Sequence, residues 1–252
     1  MDVADTGCDE IGVLSDTYNY MTEEIITLMD SQKKASDELR MAEFRALQAQ
    51  INPHFLYNTL DMINWLSQTG QSEKVTEAVQ ILSRFYKLTL SRRELMNSIE
   101  KELEHVSLYV RLQNMRYDNC VVFVVDVPEE LCEYTIPKLT FQPIVENAIF
   151  HGLKPKAANC LLQITGRCGE DCVDLYIRDN GVGFDPGQTA PKTSPISTGI
   201  GLSNVNERIQ LYFGKHYGAY ITSVPGTGTE VHIHLPKLKE EEDCKPYEDS
   251  DR

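Results

Sequence analysis

The hydrophobic period of this chain changes once, at Asn119. Before that point apolar residues recur at spacings of three and four, as they do along one face of a helix. After it, short β-branched and apolar runs are separated by turns rich in Gly, Pro, Asn and Asp. No single repeating architecture accommodates both patterns, and no internal repeat is visible. The chain of 252 residues is long enough for a helical part and a mixed α/β part, each with its own core.

The helical half falls into several stretches. Ile11, Leu14, Tyr18, Met21, Ile25 and Leu28 form a heptad-like seam, which predicts a parallel coiled coil. Residues 29–42 are polar and read as a solvated helical connector. A second patterned segment runs from Met41 to Gln68 and is apolar on more than one face, so it needs more than one neighbour. Thr69-Gly70-Gln71-Ser72 breaks it, and a helix follows from about Glu73 to Ser91 with Val75, Val79, Leu82, Phe85 and Leu88 inward. The two helices predict an antiparallel hairpin, and two hairpins in a dimer make a four-helix bundle. A third helix covers about Ile99 to Arg116. Within the second segment, Pro53 removes a backbone donor and predicts a bend just before His54. Asn58 lies one helical turn beyond His54, on the same face.

The second half predicts strands over Val121–Val127, Leu161–Arg167, Val173–Asp179, Ala219–Val224 and Glu230–Leu235, and helices over Pro137–Gly152 and Gly199–Phe213. A loop rich in Gly, Pro, Ser and Thr spans about Phe184 to Thr198, and the end of the chain is charged and reads as disordered. The net charge of −14 argues against a nucleic-acid partner, which needs a basic footprint. Seven scattered cysteines suit a reducing compartment. Cys168 and Cys172 flank what reads as a hairpin turn, and a metal site there needs further ligands nearby. No apolar run is long enough for a membrane span, and no signal peptide is visible.

Three clusters carry chemistry. Glu146-Asn147-Ala148-Ile149-Phe150-His151-Gly152 ends a predicted helix, Asp179-Asn180-Gly181-Val182-Gly183 follows a strand, and Thr198-Gly199-Ile200-Gly201-Leu202 opens a helix. Glycines at a helix N-terminus let a phosphate approach backbone N–H groups. An Asn amide oxygen suits Mg²⁺, a hard cation. A carboxylate after a strand can accept a hydrogen bond from an adenine amino group. Their order resembles the ATP-binding domain shared by histidine kinases, gyrase, Hsp90 and MutL.

With Gln50-Ile51-Asn52-Pro53-His54-Phe55-Leu56-Tyr57-Asn58, Gln142-Pro143, Arg116 and Asn204-Val205-x-x-Arg208, nearly the whole chain resembles the LytS/YesM-type sensor histidine kinases. Asp9-Glu10-Ile11-Gly12 resembles the second helix of a HAMP linker, so the chain reads as the cytoplasmic piece of a longer receptor of the cell membrane, tied to the membrane only through a missing N-terminal part. The resemblance implies an α+β fold: a partial HAMP linker and connecting helix (1–40), dimerisation and phosphotransfer helices (41–118), an α/β sandwich ATP-binding domain with a mixed sheet and helices on one face (119–237), and a charged tail (238–252). It also implies ATP- and Mg²⁺-dependent phosphorylation of His54 in a homodimer, followed by transfer to an aspartate of a response regulator receiver domain. Asn147 then holds Mg²⁺, Asp179 meets adenine, Gly181 and Gly183 line the nucleotide, Gly199, Gly201 and Leu202 lie by the phosphates, and Thr229 lies near adenine. Glu146 is a candidate base, and Asn58 a candidate for orienting water in a reverse, phosphatase reaction.

Two departures stand out. Phe150 occupies a position that is usually basic, which leaves His151 or Lys154 as substitutes. Pro143 replaces the water-activating Glu of the gyrase and Hsp90 branch and cannot act as a base. The alternative is a dimeric ATP-binding adaptor or partner-switching module without a phosphohistidine.

Overall fold

A computed structural model describes residues 17–22, 24–29, 32–33, 52–90, 95–117, 120–156, 158–185 and 200–239. Residues 1–53 and 54–252 form two compact units. In the first, residues 17–22, 24–29 and 32–33 are helical, and Tyr18, Met21, Ile25 and Leu28 are all exposed. Ile11, Leu14, the HAMP-like start and the segment 41–51 lie outside the described residues, and with them the bend expected before His54.

The described part of helix α1 starts at Pro53 and runs to Gln68. Proline suits the first turn of a helix, where its missing N–H has no acceptor to serve. The buried residues Phe55, Thr59, Met62 and Leu66 follow the i, i+4, i+7, i+11 spacing of one helical stripe. Thr69–Gln71 turn the chain, with Gly70 at a φ of +75°. Helix α2 (Ser72–Thr89) returns with Ala78, Ile81 and Phe85 buried. Val79, expected inward, is 49% exposed. The α2 core stripe is offset by one residue from the one expected, because Ala78 and Ile81 fill it.

A short strand β1 (Met96–Ser98) leads into α3 (Ile99–Arg116), which Ser98 caps by accepting from the Lys101 N–H. Helix α3 has ten buried residues and is the central element of the core. Phe55 packs on Phe85 and Tyr109 at ring-centroid distances of 5.1 and 4.9 Å, which joins α1, α2 and α3.

The second half forms a five-stranded mixed sheet in the order β2-β4-β5-β7-β6: β2 (Val121–Asp126), β4 (Cys160–Cys168), β5 (Cys172–Asp179), β6 (Gly218–Val224) and β7 (Gly228–Pro236). β2 pairs parallel with β4, and the remaining pairs are antiparallel. Leu162, Ile164, Val173, Leu175, Ile177, Val231, Ile233 and Leu235 point into the core, and their strand neighbours face out.

Short helix α4 (Glu129–Cys132) precedes β3 (Thr135–Pro137), which pairs antiparallel with β1. This two-stranded ribbon was not expected, because three residues on each side give no readable alternation. It also corrects the helix expected from Pro137: that proline ends β3, and helix α5 starts four residues later, over Phe141–Asn147. A single π-helical turn, Ala148–Leu153, continues α5. Helix α6 (Ile200–Phe213) buries Val205, Ile209 and Phe213 and packs on β6. The tail expected to be disordered from residue 238 begins ordered, since the Leu238 carbonyl accepts from the Thr135 N–H at 2.7 Å and from its hydroxyl at 3.0 Å. Residues from 240 onward lie outside the described residues.

Candidate active site

A cleft opens between α5 with its π-turn, the ends of β5 and β7, and the start of α6. Ile144, Ile177, Leu202 and Val231 form its apolar walls, and Asn147, His151, Asp179 and Thr229 supply its polar groups. Asp179 ends β5 opposite Thr229 on β7. Its Oδ1 accepts from the Gly181 N–H at 2.8 Å. Burial raises its pKa, against the lowering effect of the Gly181 and Thr229 N–H groups and of Lys156. The Thr229 hydroxyl lies 2.9 Å from Ser223 Oγ, which in turn accepts from the Phe184 N–H at 3.0 Å. The cleft thus sets one carboxylate among apolar walls.

The glycines explain how Asp179 fits. A Cβ on Gly152 would stand 2.7 Å from Asp179 Oδ1, and one on Gly181 would overlap the Gly152 carbonyl. Gly183 has a φ of +60° beside the Val224 carbonyl. The Val182 N–H donates to the Gly152 carbonyl at 3.0 Å, so the turn after β5 is bonded directly to the π-turn. π-turns concentrate at functional sites because their extra residue re-aims side chains. Here the turn presents Ala148, His151 and Gly152 to the cleft.

Six of the residues expected in the site line this cleft: Asn147, His151, Asp179, Gly183, Leu202 and Thr229. Gly181 supports it from behind, and Gly201 lies in the first turn of α6. Gly199 lies outside the described residues, as do residues 186–198 of the expected loop. Glu146 does not line the cleft; its Oε1 accepts from Gln142 Nε2 at 2.7 Å, and its charge acts on Tyr109 of α3. Lys154 also turns away, with Nζ over the rings of Tyr117 at 5.2 Å and Phe150 at 5.7 Å. The cation that acts on Asp179 is Lys156, which bonds to the Asn180 carbonyl at 2.6 Å.

His54 and Asn58 are carried on α1. His54 is exposed, whereas its neighbour Phe55 is buried against Phe85 and Tyr109. Asn58 Nδ2 is 3.1 Å from both ring nitrogens. A neutral imidazole has one acceptor nitrogen, so the amide can donate to only one of them at a time.

The model of the histidine kinase family matches residues 42–121, and that of the histidine kinase-, DNA gyrase B- and HSP90-like ATPases matches residues 135–239. Over 90% of its length the chain is 36% identical to the sensor histidine kinase YesM of Bacillus subtilis, covering 39% of that protein. This chain belongs to the sensor histidine kinase family of two-component systems. It is also 32% identical over 79% of its length to the sensor histidine kinase BtsS of Escherichia coli, covering 34% of it, and 33% identical over 81% to the sensor protein LytS of Bacillus anthracis, covering 36%. The chain thus spans between a third and two fifths of the curated sensor kinases it matches. Among the described residues, no helix is long and apolar enough to cross a membrane.

Proposed function

We propose that this chain is the kinase portion of a dimeric two-component receptor, which phosphorylates His54 from ATP and passes the phosphoryl group to an aspartate of a response regulator receiver domain. The observation that carries this reading is the combination, in one chain, of an exposed histidine on a core-anchored helix and a cleft built around Asp179. Asp179 accepts a hydrogen bond from the adenine amino group, and Ile144, Ile177 and Val231 flank the base. Asn147 offers the hard oxygen donor that Mg²⁺ requires alongside nucleotide phosphates, so the residues present fit that ion, which neutralises phosphate charge when bound. The first turn of α6, with Gly201, faces the phosphates with backbone N–H groups.

An imidazole is nucleophilic near neutral pH. Because His54 is exposed, its ring proton can pass to water, and Glu146 is not required as a base. With its amide turned over, Asn58 accepts from one ring N–H and leaves the other nitrogen's lone pair as the nucleophile. The same amide would orient water in dephosphorylation of the regulator; an unchanged dephosphorylation rate for Asn58→Ala would exclude that second role.

The decisive test is incubation with γ-labelled ATP and Mg²⁺, with His54→Ala alongside. Acid-labile, alkali-stable label is expected on the parent chain and only background on the variant. Label that persists on His54→Ala would place the acceptor elsewhere. A parent chain that binds ATP without becoming labelled would favour the adaptor.

A further inference from the structure

The outward face of the sheet carries a second constellation, at the end of the strands away from the cleft. In the β5–β7 register Asp174 stands opposite His234, and Tyr176 opposite His232. Asp174 Oδ1 lies 2.8 Å from His234 Nδ1 and 2.7 Å from His232 Nε2. Its other oxygen, Oδ2, lies 3.7 Å from Cys172 Sγ. One donor atom each from Cys172, Asp174 and His234 falls within 4.8 Å of the others. The surroundings hold these groups in place. A Cβ on Gly169 would overlap Cys172 Sγ, so the β4–β5 turn leaves room for the sulfur. The His234 ring stacks on Tyr217 at 5.3 Å, and His232 stacks on Tyr176 at 4.6 Å.

The geometry points to a binding site for a zinc-class divalent transition metal, ligated by Cys172 Sγ, an Asp174 carboxylate oxygen and His234 Nδ1. With bonds of about 2.0–2.3 Å, a tetrahedral site of this kind has donor–donor edges of about 3.3–3.6 Å. With Oδ2 as the ligand, the sulfur–oxygen edge of 3.7 Å already has nearly that length; His234 Nδ1 then leaves Oδ1 and turns to the metal, while Oδ1 keeps its bond to His232. Charge balances as well: the metal's two positive charges meet one thiolate and one carboxylate. Binding expels the Cys172 thiol proton to solvent and moves the His234 ring proton to Nε2. Water fills the fourth position. His232, bonded to Asp174, orients that ligand from the outer shell. Thiolate and imidazole exclude Ca²⁺ and Mg²⁺, which take oxygen ligands.

This site is separate from the nucleotide cleft. Asp174 and Asp179 are five residues apart along β5, about 17 Å, and they face opposite sides of the sheet. The experiment therefore reads metal binding without reference to kinase activity. The full chain, kept in a reductant that does not bind metals, is titrated with Co²⁺. One equivalent is expected to give a thiolate-to-cobalt charge-transfer band with tetrahedral ligand-field absorption. Cys172→Ser abolishes the band. His234→Ala weakens Co²⁺ binding at least about tenfold, and His232→Ala weakens it by about tenfold, the cost of an outer-shell partner. Cys168→Ser and Cys120→Ser leave the band intact. Unfolding profiles and nucleotide binding matching the parent's show that the variants are folded. Absence of the band in the parent chain, its persistence in Cys172→Ser, or unchanged Co²⁺ affinity in His234→Ala would overturn the proposal.

Discussion

Three glycines surround Asp179. Gly152 leaves room beside its carboxylate, Gly228 leaves room beside its backbone carbonyl, and Gly181 gives it an N–H at 2.8 Å. Replacing Asp179 with Ala removes a charged acceptor worth about 1.5–3 kcal/mol to a bound amino group. ATP affinity should then fall about 10- to 100-fold by calorimetry. Preference for ATP over GTP should shrink too, since guanine presents a carbonyl where adenine presents the amino group; an unchanged preference would place base recognition elsewhere. Gly181→Ala is expected to damage the cleft through its backbone, lowering nucleotide affinity and thermal stability together. Asp179, Asn147 and the glycines were readable because three clusters, each a common turn or helix start by itself, follow one another in one order. Ile144, Phe184 and Ile221 also line the cleft and were unreadable, because an apolar side chain at helix or strand spacing looks the same whether it meets a ligand or the core. Lys154 misled for a different reason: its place in the sequence is close to the cleft, but its ammonium finds the Tyr117 and Phe150 rings.

At the level of elements, the α2–α3 contact has a built-in response to acid. His105 of α3 is buried, stacks on Phe85 at 4.4 Å and bonds through Nε2 to Thr89 Oγ1 at 2.8 Å. The Thr89 hydroxyl donates to the Phe85 carbonyl, so it accepts from Nε2–H, and Nδ1 is left buried with no protein partner. Burial, followed by the charge of Lys138, lowers the His105 pKa to about 4. The fold therefore stabilises the neutral ring. Its contribution is full above about pH 6.5 and is lost as the pH falls toward 4, up to about 3 kcal/mol. Urea unfolding across this range should show a steeper loss for the parent chain than for His105→Gln; parallel curves would show that the ring does not titrate in this window. Helices α1, α2 and α3 could be read from their periodicity, whereas the offset of Val79 could not. Two apolar stripes one residue apart on α2 both satisfy helical spacing, and only the partner helix selects between them.

At the scale of the molecule, that second stripe is left without cover. Leu60 and Val79 are 47% and 49% exposed, and Trp65 is 57% exposed. Leu56 and Ile63 on α1, and Val75, Leu82 and Tyr86 on α2, are only half-buried. A second copy of the hairpin would bury what remains exposed of these side chains, at about 1 kcal/mol each. Leu60→Asp combined with Val79→Asp is expected to turn a dimer into a monomer by sedimentation while ATP binding persists. A dimer that survives both changes would place the interface elsewhere, for example in the seam of residues 11–28.

Glu102 has a mechanical consequence. This fully buried carboxylate on α3 accepts from Asn97 Nδ2 and from the N–H groups of Leu139, Thr140 and Phe141, at 2.8, 2.9, 3.0 and 3.4 Å. Leu139 is held at a φ of +58°, and its carbonyl accepts from Arg208 of α6 at 3.4 Å. Helix α5, which carries Asn147, is thereby riveted to α3 at its first turn. A push on α3 either strips three amide protons from one carboxylate or swings Asn147 along with it. Breaking the bonds costs several kcal/mol, so α3 is a stiff lever whose short arm ends at the cleft.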